Sequence, residues 1–215
     1  MEPYRLIAPL YDTIFERINR GLRIVAHRMC EPPEGARVLD VGCGTGAQLA
    51  FYRDRGYRLW GLDTSSAMLR VAHRRLGPAA VLTKGDATRM PYDDASFDLI
   101  CVFFVLHEMR QPVRRGTLRE IERVLAPGGK VAVVEFHDGS DRSFRWLSTR
   151  VLTTAAELAA GREHFTCYLD WRRRGCLRGQ LTSTGLKIAK ERVLGGGNLG
   201  VFALEKRGES ATARP

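Results

Sequence analysis

Residues 38 to 46 read VLDVGCGTG: an apolar strand, one acidic residue inside it, and a loop with three glycines in five positions. A buried strand carries the backbone to the carboxyl edge of a sheet. Gly42, Gly44 and Gly46 then permit positive φ and leave no Cβ to hold a ligand away. A helix is predicted to start at about Ala47, its N-terminus facing an anion. The spacing is G-x-G-x-G rather than G-x-G-x-x-G, and Asp40 stands two residues before the first glycine, so the loop departs from the dinucleotide fingerprint.

Further landmarks follow in order. A second strand, Arg58 to Leu62, ends in Asp63, an acidic residue placed to accept the hydroxyls of a ribose. A third short strand around Val81 and Leu82 closes at Lys84-Gly85-Asp86-Ala87. Ser96 to Phe104 is almost continuously apolar, as a strand buried on both faces requires, and runs into Leu106-His107-Glu108-Met109. A helix through Ile121 to Leu125 is expected to stop at Pro127-Gly128-Gly129 and to give way to a strand from Val131 to Glu135.

Over residues 36 to 137 this series resembles the class I S-adenosylmethionine (SAM)-dependent methyltransferases of the methyltransferase-11 type. The resemblance implies SAM as cofactor, S-adenosylhomocysteine as its product, and cofactor contacts at Asp40, Gly42, Cys43, Gly44, Gly46, Asp63, Thr64, Met68, Asp86, Ala87 and Phe103. Asp86 is implied to take the adenine amino group, with a simple turn as its alternative. Asp40 either meets the methionyl amine or orders the loop.

Strands and helices alternate from Arg37 to Glu135, which means a parallel sheet covered on both faces. Helices are expected over 143–160 and 168–183, and two strands, Lys187–Leu194 and Leu199–Lys206, are joined by Gly195-Gly196-Gly197-Asn198 as an antiparallel hairpin. The fold expected is α/β and Rossmann-like, and the resemblance implies strand order 3-2-1-4-5-7-6 with strand 7 antiparallel. One domain is expected over 1–206: lid helices at 1–35, a cofactor core at 36–137, a substrate-side insertion at 138–184, a hairpin at 185–206, and a flexible tail at 207–215. Ala8-Pro9-Leu10-Tyr11-Asp12 resembles the lid element of ubiquinone/menaquinone C-methyltransferases and bacterial phosphatidylethanolamine N-methyltransferases.

The composition is that of an ordinary globule, 44% apolar and 27% charged over 215 residues. Five scattered cysteines without C-x-x-C spacing read as reduced thiols of a cytoplasmic protein, Cys43 being a small filler in the loop. No signal-peptide layout or membrane-length apolar run is found. His27, His73 and His164 show no metal-ligand spacing, and no metal site is expected.

Because the methyl to be moved sits on a sulfonium, the chain has mainly to align an acceptor and exclude water. His107, with Glu108 beside it, is the neutral-pH base placed at the end of strand four, and Tyr11 reaches in from the lid. Their alternatives are packing, hydrogen bonding and an aromatic anchor. Glu135, His137 and Asp138 form a second candidate set after strand five.

The formal net charge of +10 favours an anionic partner. Ile14, Ile18, Leu22 and Val25 alternate with Arg17, Arg20, Arg23 and Arg28, the layout of an interfacial helix that contacts an anionic membrane, or of a lid helix with its arginines in water. The acceptor is expected to be a small or amphiphilic molecule, entering between the 3–29 segment and the 138–184 insertion with Trp146 and Trp171. Nucleic acid is disfavoured because no recognition module is present. An RNA or protein methyltransferase and a non-catalytic SAM-binding protein stay open as alternatives; an NAD-dependent oxidoreductase is disfavoured by the loop spacing.

Overall fold

In the computed structural model residues 8–139, 144–159 and 161–208 are described, with side chains from residue 19 onward apart from 144–146, 152, 156 and 159. Helix α1 (Ala8–Cys30) leads into β1 (Arg37–Val41), α2 (Ala47–Arg53), β2 (Arg58–Asp63), α3 (Ser66–Leu76), β3 (Ala80–Lys84) and β4 (Phe97–Phe103). Then come α4 (Gln111–Val124), β5 (Leu125–Phe136), α5 (Phe144–Ala159), α6 (Arg162–Arg173), α7 (Cys176–Gln180), β6 (Leu186–Leu194) and β7 (Leu199–Lys206). The seven strands form one sheet in the order β3-β2-β1-β4-β5-β7-β6, as expected. β1 to β5 pair in parallel, while β7 runs antiparallel to both β5 and β6.

The apolar runs of the central strands are explained by the two layers they serve. In β5, Val131 and Val133 point into one core with Leu118, Ile121, Trp171 and Phe202, while Ala132 and Val134 point into the other with Leu22, Ala26, Leu49 and Tyr52. Helix α4 buries Arg114, Thr117, Leu118, Ile121 and Val124, a helical stripe with one charged member. Helix α1 buries Leu22, Ala26, Met29 and Cys30 against the opposite face.

Three expectations need correction. The strand after α4 starts at Leu125, and Pro127-Gly128-Gly129 lies within it as a bulge: Phe97 pairs with Leu125 and Leu99 with Lys130, with Gly128 at φ 71° absorbing the extra residues. The helix expected over 168–183 starts at Arg162 and breaks after Arg173, because Gly175 takes a left-handed φ of 76° and starts α7. On α1, Arg23 is only 6% exposed rather than in water, drawn inward on the side of Asp40, itself 2% exposed. Residues 209–215 of the expected tail, and the side chains of Tyr11 and Trp146, lie outside the described residues.

Trp171 joins the helical layer to the sheet: it is fully buried, and its Nε1 donates to the Phe136 carbonyl at 3.0 Å. Trp171→Ala is expected to lower the unfolding free energy by about 3–5 kcal/mol, read from urea midpoints, whereas Trp171→Phe, which keeps most of the volume, should cost less than half of that.

Candidate active site

The glycine loop leaves β1 at the point where the strand order reverses between β1 and β4, the crevice in which open α/β sheets bind ligands. All three glycines have positive φ, 72° at Gly42, 51° at Gly44 and 76° at Gly46. They do different work. A Cβ on Gly42 would lie 2.6 Å from Val105 Cγ2, and one on Gly46 would lie 2.8 Å from Leu76 Cδ1. Around Gly44 nothing stands within 4 Å of such an atom. Gly42 and Gly46 are thus required by packing, and Gly44 alone borders open space of the kind a cofactor needs.

Asp63 holds this loop in shape. Its Oδ2 accepts from the Gly44 amide and its Oδ1 from the Ser65 amide, each at 2.8 Å. Ser65 in turn caps α3, accepting from the Met68 amide at 3.3 Å. Each carboxylate oxygen keeps a lone pair for a ribose hydroxyl, so the residue can serve loop and ligand together. Asp86 is exposed at the end of β3 and accepts from the Thr88 amide at 2.8 Å, an Asx turn, with its second oxygen outside that bond. Thr64 is exposed, Met68, Ala87 and Phe103 are half-buried, and Cys43 is buried, its thiol pushed up by burial and then by the charges of Asp40 and Asp63. All stand around the same sheet edge, so the residues present fit SAM at Gly44 and Asp63.

Asp40 lies beneath the loop. Burial pushes its carboxyl up to about 8 against the pull of Arg23, with Asp63 adding to the rise.

At the end of β4 a second constellation forms. Phe104 takes a φ of 56°, strained for an aromatic residue, while its amide donates to the Val134 carbonyl at 2.8 Å. The chain then turns through Leu106–Glu108, and Glu135, fully buried at the end of β5, collects that turn. One oxygen of Glu135 accepts from the Leu106 and His107 amides at 2.7 and 3.4 Å; the other lies 2.8 Å from His107 Nδ1. The proton is therefore assigned to Nδ1, and Nε2 faces away from Glu135. Arg114, fully buried, braces the turn from α4: its Nε donates to the Leu106 carbonyl and its Nη2 to the Met109 carbonyl, each at 2.8 Å.

Around His107 stand aromatic rings. Phe136 meets it edge-on at 4.7 Å between centroids, Tyr168 packs on Phe136 at 5.2 Å, and Phe104 lies 5.8 Å from Phe136. Burial alone would lower the His107 pKa, but the charge and hydrogen bond of Glu135, then Glu108 and Glu157, raise it to about 9.

Glu108 is exposed, 3.9 Å from His164 Nε2. Of the second candidate set only Glu135 joins the site: His137 turns to Glu191 at 3.0 Å, and Asp138 to Arg172 at 3.1 Å. Glu157 and Arg114 carried no signal in the sequence; each is a charged residue on a helix, given its place by burial.

Residues 39–133 match the model of the methyltransferase domain family. The chain is 31% identical to the 2-phytyl-1,4-naphtoquinone methyltransferase of Synechococcus elongatus, over 93% of both proteins. The chain belongs to the SAM-dependent methyltransferase family. It is also 37% identical to the demethylmenaquinone methyltransferase of Renibacterium salmoninarum over 73% of this chain, a match that spans just under two thirds, 66%, of that relative's length. The methyltransferase fold is shared with the Haloferax volcanii putative methyltransferase solved with its Trm112 activator, at a TM-score of 0.69 and 19% identity over 95% of this chain and 97% of that structure.

The two kinds of glycine separate by substitution. Gly44→Val should lose binding of S-adenosylhomocysteine by calorimetry with little loss of fold, while Gly46→Val should lower the melting temperature first. Asp63→Ala should weaken cofactor binding by about 1–3 kcal/mol and also lower the melting temperature, since the carboxylate holds two loop amides.

Asp40 predicts a pH signature of stability. Its folded pKa is raised, so the unfolded chain ionises first; the stability it contributes is full below the ordinary carboxylate range and is lost as pH rises to about 8. Urea midpoints of the cofactor-free protein and of Asp40→Asn should diverge in favour of the variant across that window and run parallel above it.

Proposed function

We propose that the chain transfers the SAM methyl group to a ring carbon of a hydroxylated, quinone-type aromatic acceptor bearing an apolar chain. The observation that carries the reading is the cage of Phe104, Phe136 and Tyr168 around His107, built directly beside the glycine loop. Val105, between Phe104 and His107, is the side chain on which Gly42 closes, so cage and loop share a wall. A flat ring is held by such edge-on rings, and its hydroxyl needs a polar terminus. His107, His164 and Glu157 form that terminus. The names of the similar enzymes, a demethylmenaquinone and a 2-phytyl-1,4-naphtoquinone methyltransferase, support the same class of acceptor.

The cofactor supplies an electrophilic methyl group on a sulfonium. The chain's part is to seat the methionyl end over Gly44, with Asp40 beneath it for the amine, and to hold the ribose at Asp63. It must also orient the acceptor's hydroxyl so that the neighbouring ring carbon points at the methyl, with water kept out by the aromatic rings. Together His107, His164 and Glu157 orient the acceptor's oxygen and take up the one proton released as the methyl replaces a ring hydrogen.

The apolar chain of the acceptor suggests contact with a membrane. Among the described residues, Leu147 (52% exposed), Val151 (61%) and Leu158 (58%) form one bare apolar face of α5, flanked by Arg150. No described helix is long and apolar enough to cross a membrane. A peripheral site on the anionic cytoplasmic face of a bilayer fits this face and the net charge of +10.

Labelled SAM offered with reduced demethylated naphthoquinols should deposit label on the ring, and binding to anionic vesicles should fall with salt and with Leu147→Glu plus Val151→Glu. Methylation confined to polar acceptors, with no affinity for vesicles, would overturn the reading.

A further inference from the structure

The polar terminus of the cage has the composition and convergence of a transition-metal site. His107 Nε2 lies 3.7 Å from Glu157 Oε2, and His164 Nε2 lies 2.7 Å from the same oxygen. One ligand atom from each of the three residues falls within 4.8 Å of the others. Ligands of a tetrahedral Zn2+ at its usual bond lengths stand about 3.3–3.5 Å apart, so small side-chain shifts would bring the three into register. The residues come from three elements, the turn after β4, α5 and α6, and no sequence spacing announces them.

Two independent features mark the cluster as more than an ion pair. Glu157 is 8% exposed, and its Oε2, for all its closeness to His164, is buried without an aligned hydrogen-bond donor. Such an oxygen is costly to bury unless a positive centre completes it. Behind His107, Glu135 accepts from Nδ1 at 2.8 Å, the carboxylate–histidine arrangement that fixes ring orientation and tautomer and aims Nε2 at a metal.

The geometry points to a divalent transition-metal site of the Zn2+ type at His107, His164 and Glu157, on the acceptor side of the methyltransferase. Two imidazoles and one carboxylate suit Zn2+ and its first-row neighbours rather than Mg2+ or Ca2+, which prefer all-oxygen shells. Three protein ligands leave a fourth position open, as in catalytic zinc sites. An acceptor hydroxyl bound there would lose its proton more readily. The metal site itself does not depend on the acceptor being a quinol; only that last role rests on the proposed function.

The test is made on the full chain after chelator treatment and dialysis, titrated with Zn2+ by calorimetry and with Co2+ by visible absorption. One ion per chain is expected, with cobalt bands of a four- or five-coordinate nitrogen and oxygen site and no thiolate charge-transfer band, since the five cysteines are buried elsewhere. Glu157→Gln and His164→Ala should each weaken Zn2+ binding at least a hundredfold, while His73→Ala, at an exposed histidine, should bind as the parent does. S-adenosylhomocysteine affinity, read at a different part of the sheet edge, should stay unchanged in all three and so certifies the fold. Zn2+ bound equally by parent and variants, bound through thiolate, or not bound would overturn the site. Metal binding and quinol methylation are read separately, so a metal-binding chain that ignores quinols sinks the acceptor and keeps the site, and the reverse result sinks the site alone.

Discussion

The fully buried carboxylate of Glu135 is the constraint on which the turn after β4 and the surroundings of His107 depend. A charged or polar group with no exposure must have its oxygens satisfied by the protein, and here the donors are two amides of the turn after β4, the Phe136 amide and the ring of His107. Meeting that demand fixes how the chain leaves β4. The turn cannot relax into the extended form without stranding Glu135, and the left-handed Phe104 is held against its own preference for the same reason. Arg114 applies the complementary restraint. Its guanidinium satisfies the carbonyls of Leu106 and Met109 from the other side and also reaches Asp170 of α6 at 3.3 Å, so turn and helical layer are positioned by one residue.

On the cofactor side the controlling contact is the pair of amide bonds to Asp63. They link the loop after β1 to the start of α3, and give the chain a rigid rim before any ligand arrives. The loop's glycines divide along physical lines. Two lack side chains because Val105 and Leu76 already fill the space, and one because the space is open. The Val105 contact also couples the sides, since a shift of the turn after β4 would be felt at Gly42.

Helices α5 and α6 complete the cluster around His107. They bring Tyr168, His164 and Glu157 to His107, and α5 turns a bare apolar face outward. One helix therefore has a buried polar flank at Glu157 and an exposed apolar flank at Leu147, Val151 and Leu158. That division is possible because residues on a helix at different angles see different solvents.

The amino-acid sequence by itself determined the architecture. Period-two and continuous apolar runs, the VLDVGCGTG loop, Asp63 after the second strand and the triple-glycine hairpin are local signals, each produced by backbone geometry within a few residues, and the family resemblance they carry implied the strand order. It also placed Gly44, Asp63 and His107 at the carboxyl ends of β1, β2 and β4. Tertiary structure alone decided which glycine faces open space, that Arg23 and Arg114 are buried, and that the helix through Trp171 breaks at Gly175. It alone brought Glu157 and His164 to His107 from separate helices. Such groupings depend on distances between residues some fifty positions apart along the chain, and charged residues on helices look alike in sequence whether they face water or one another.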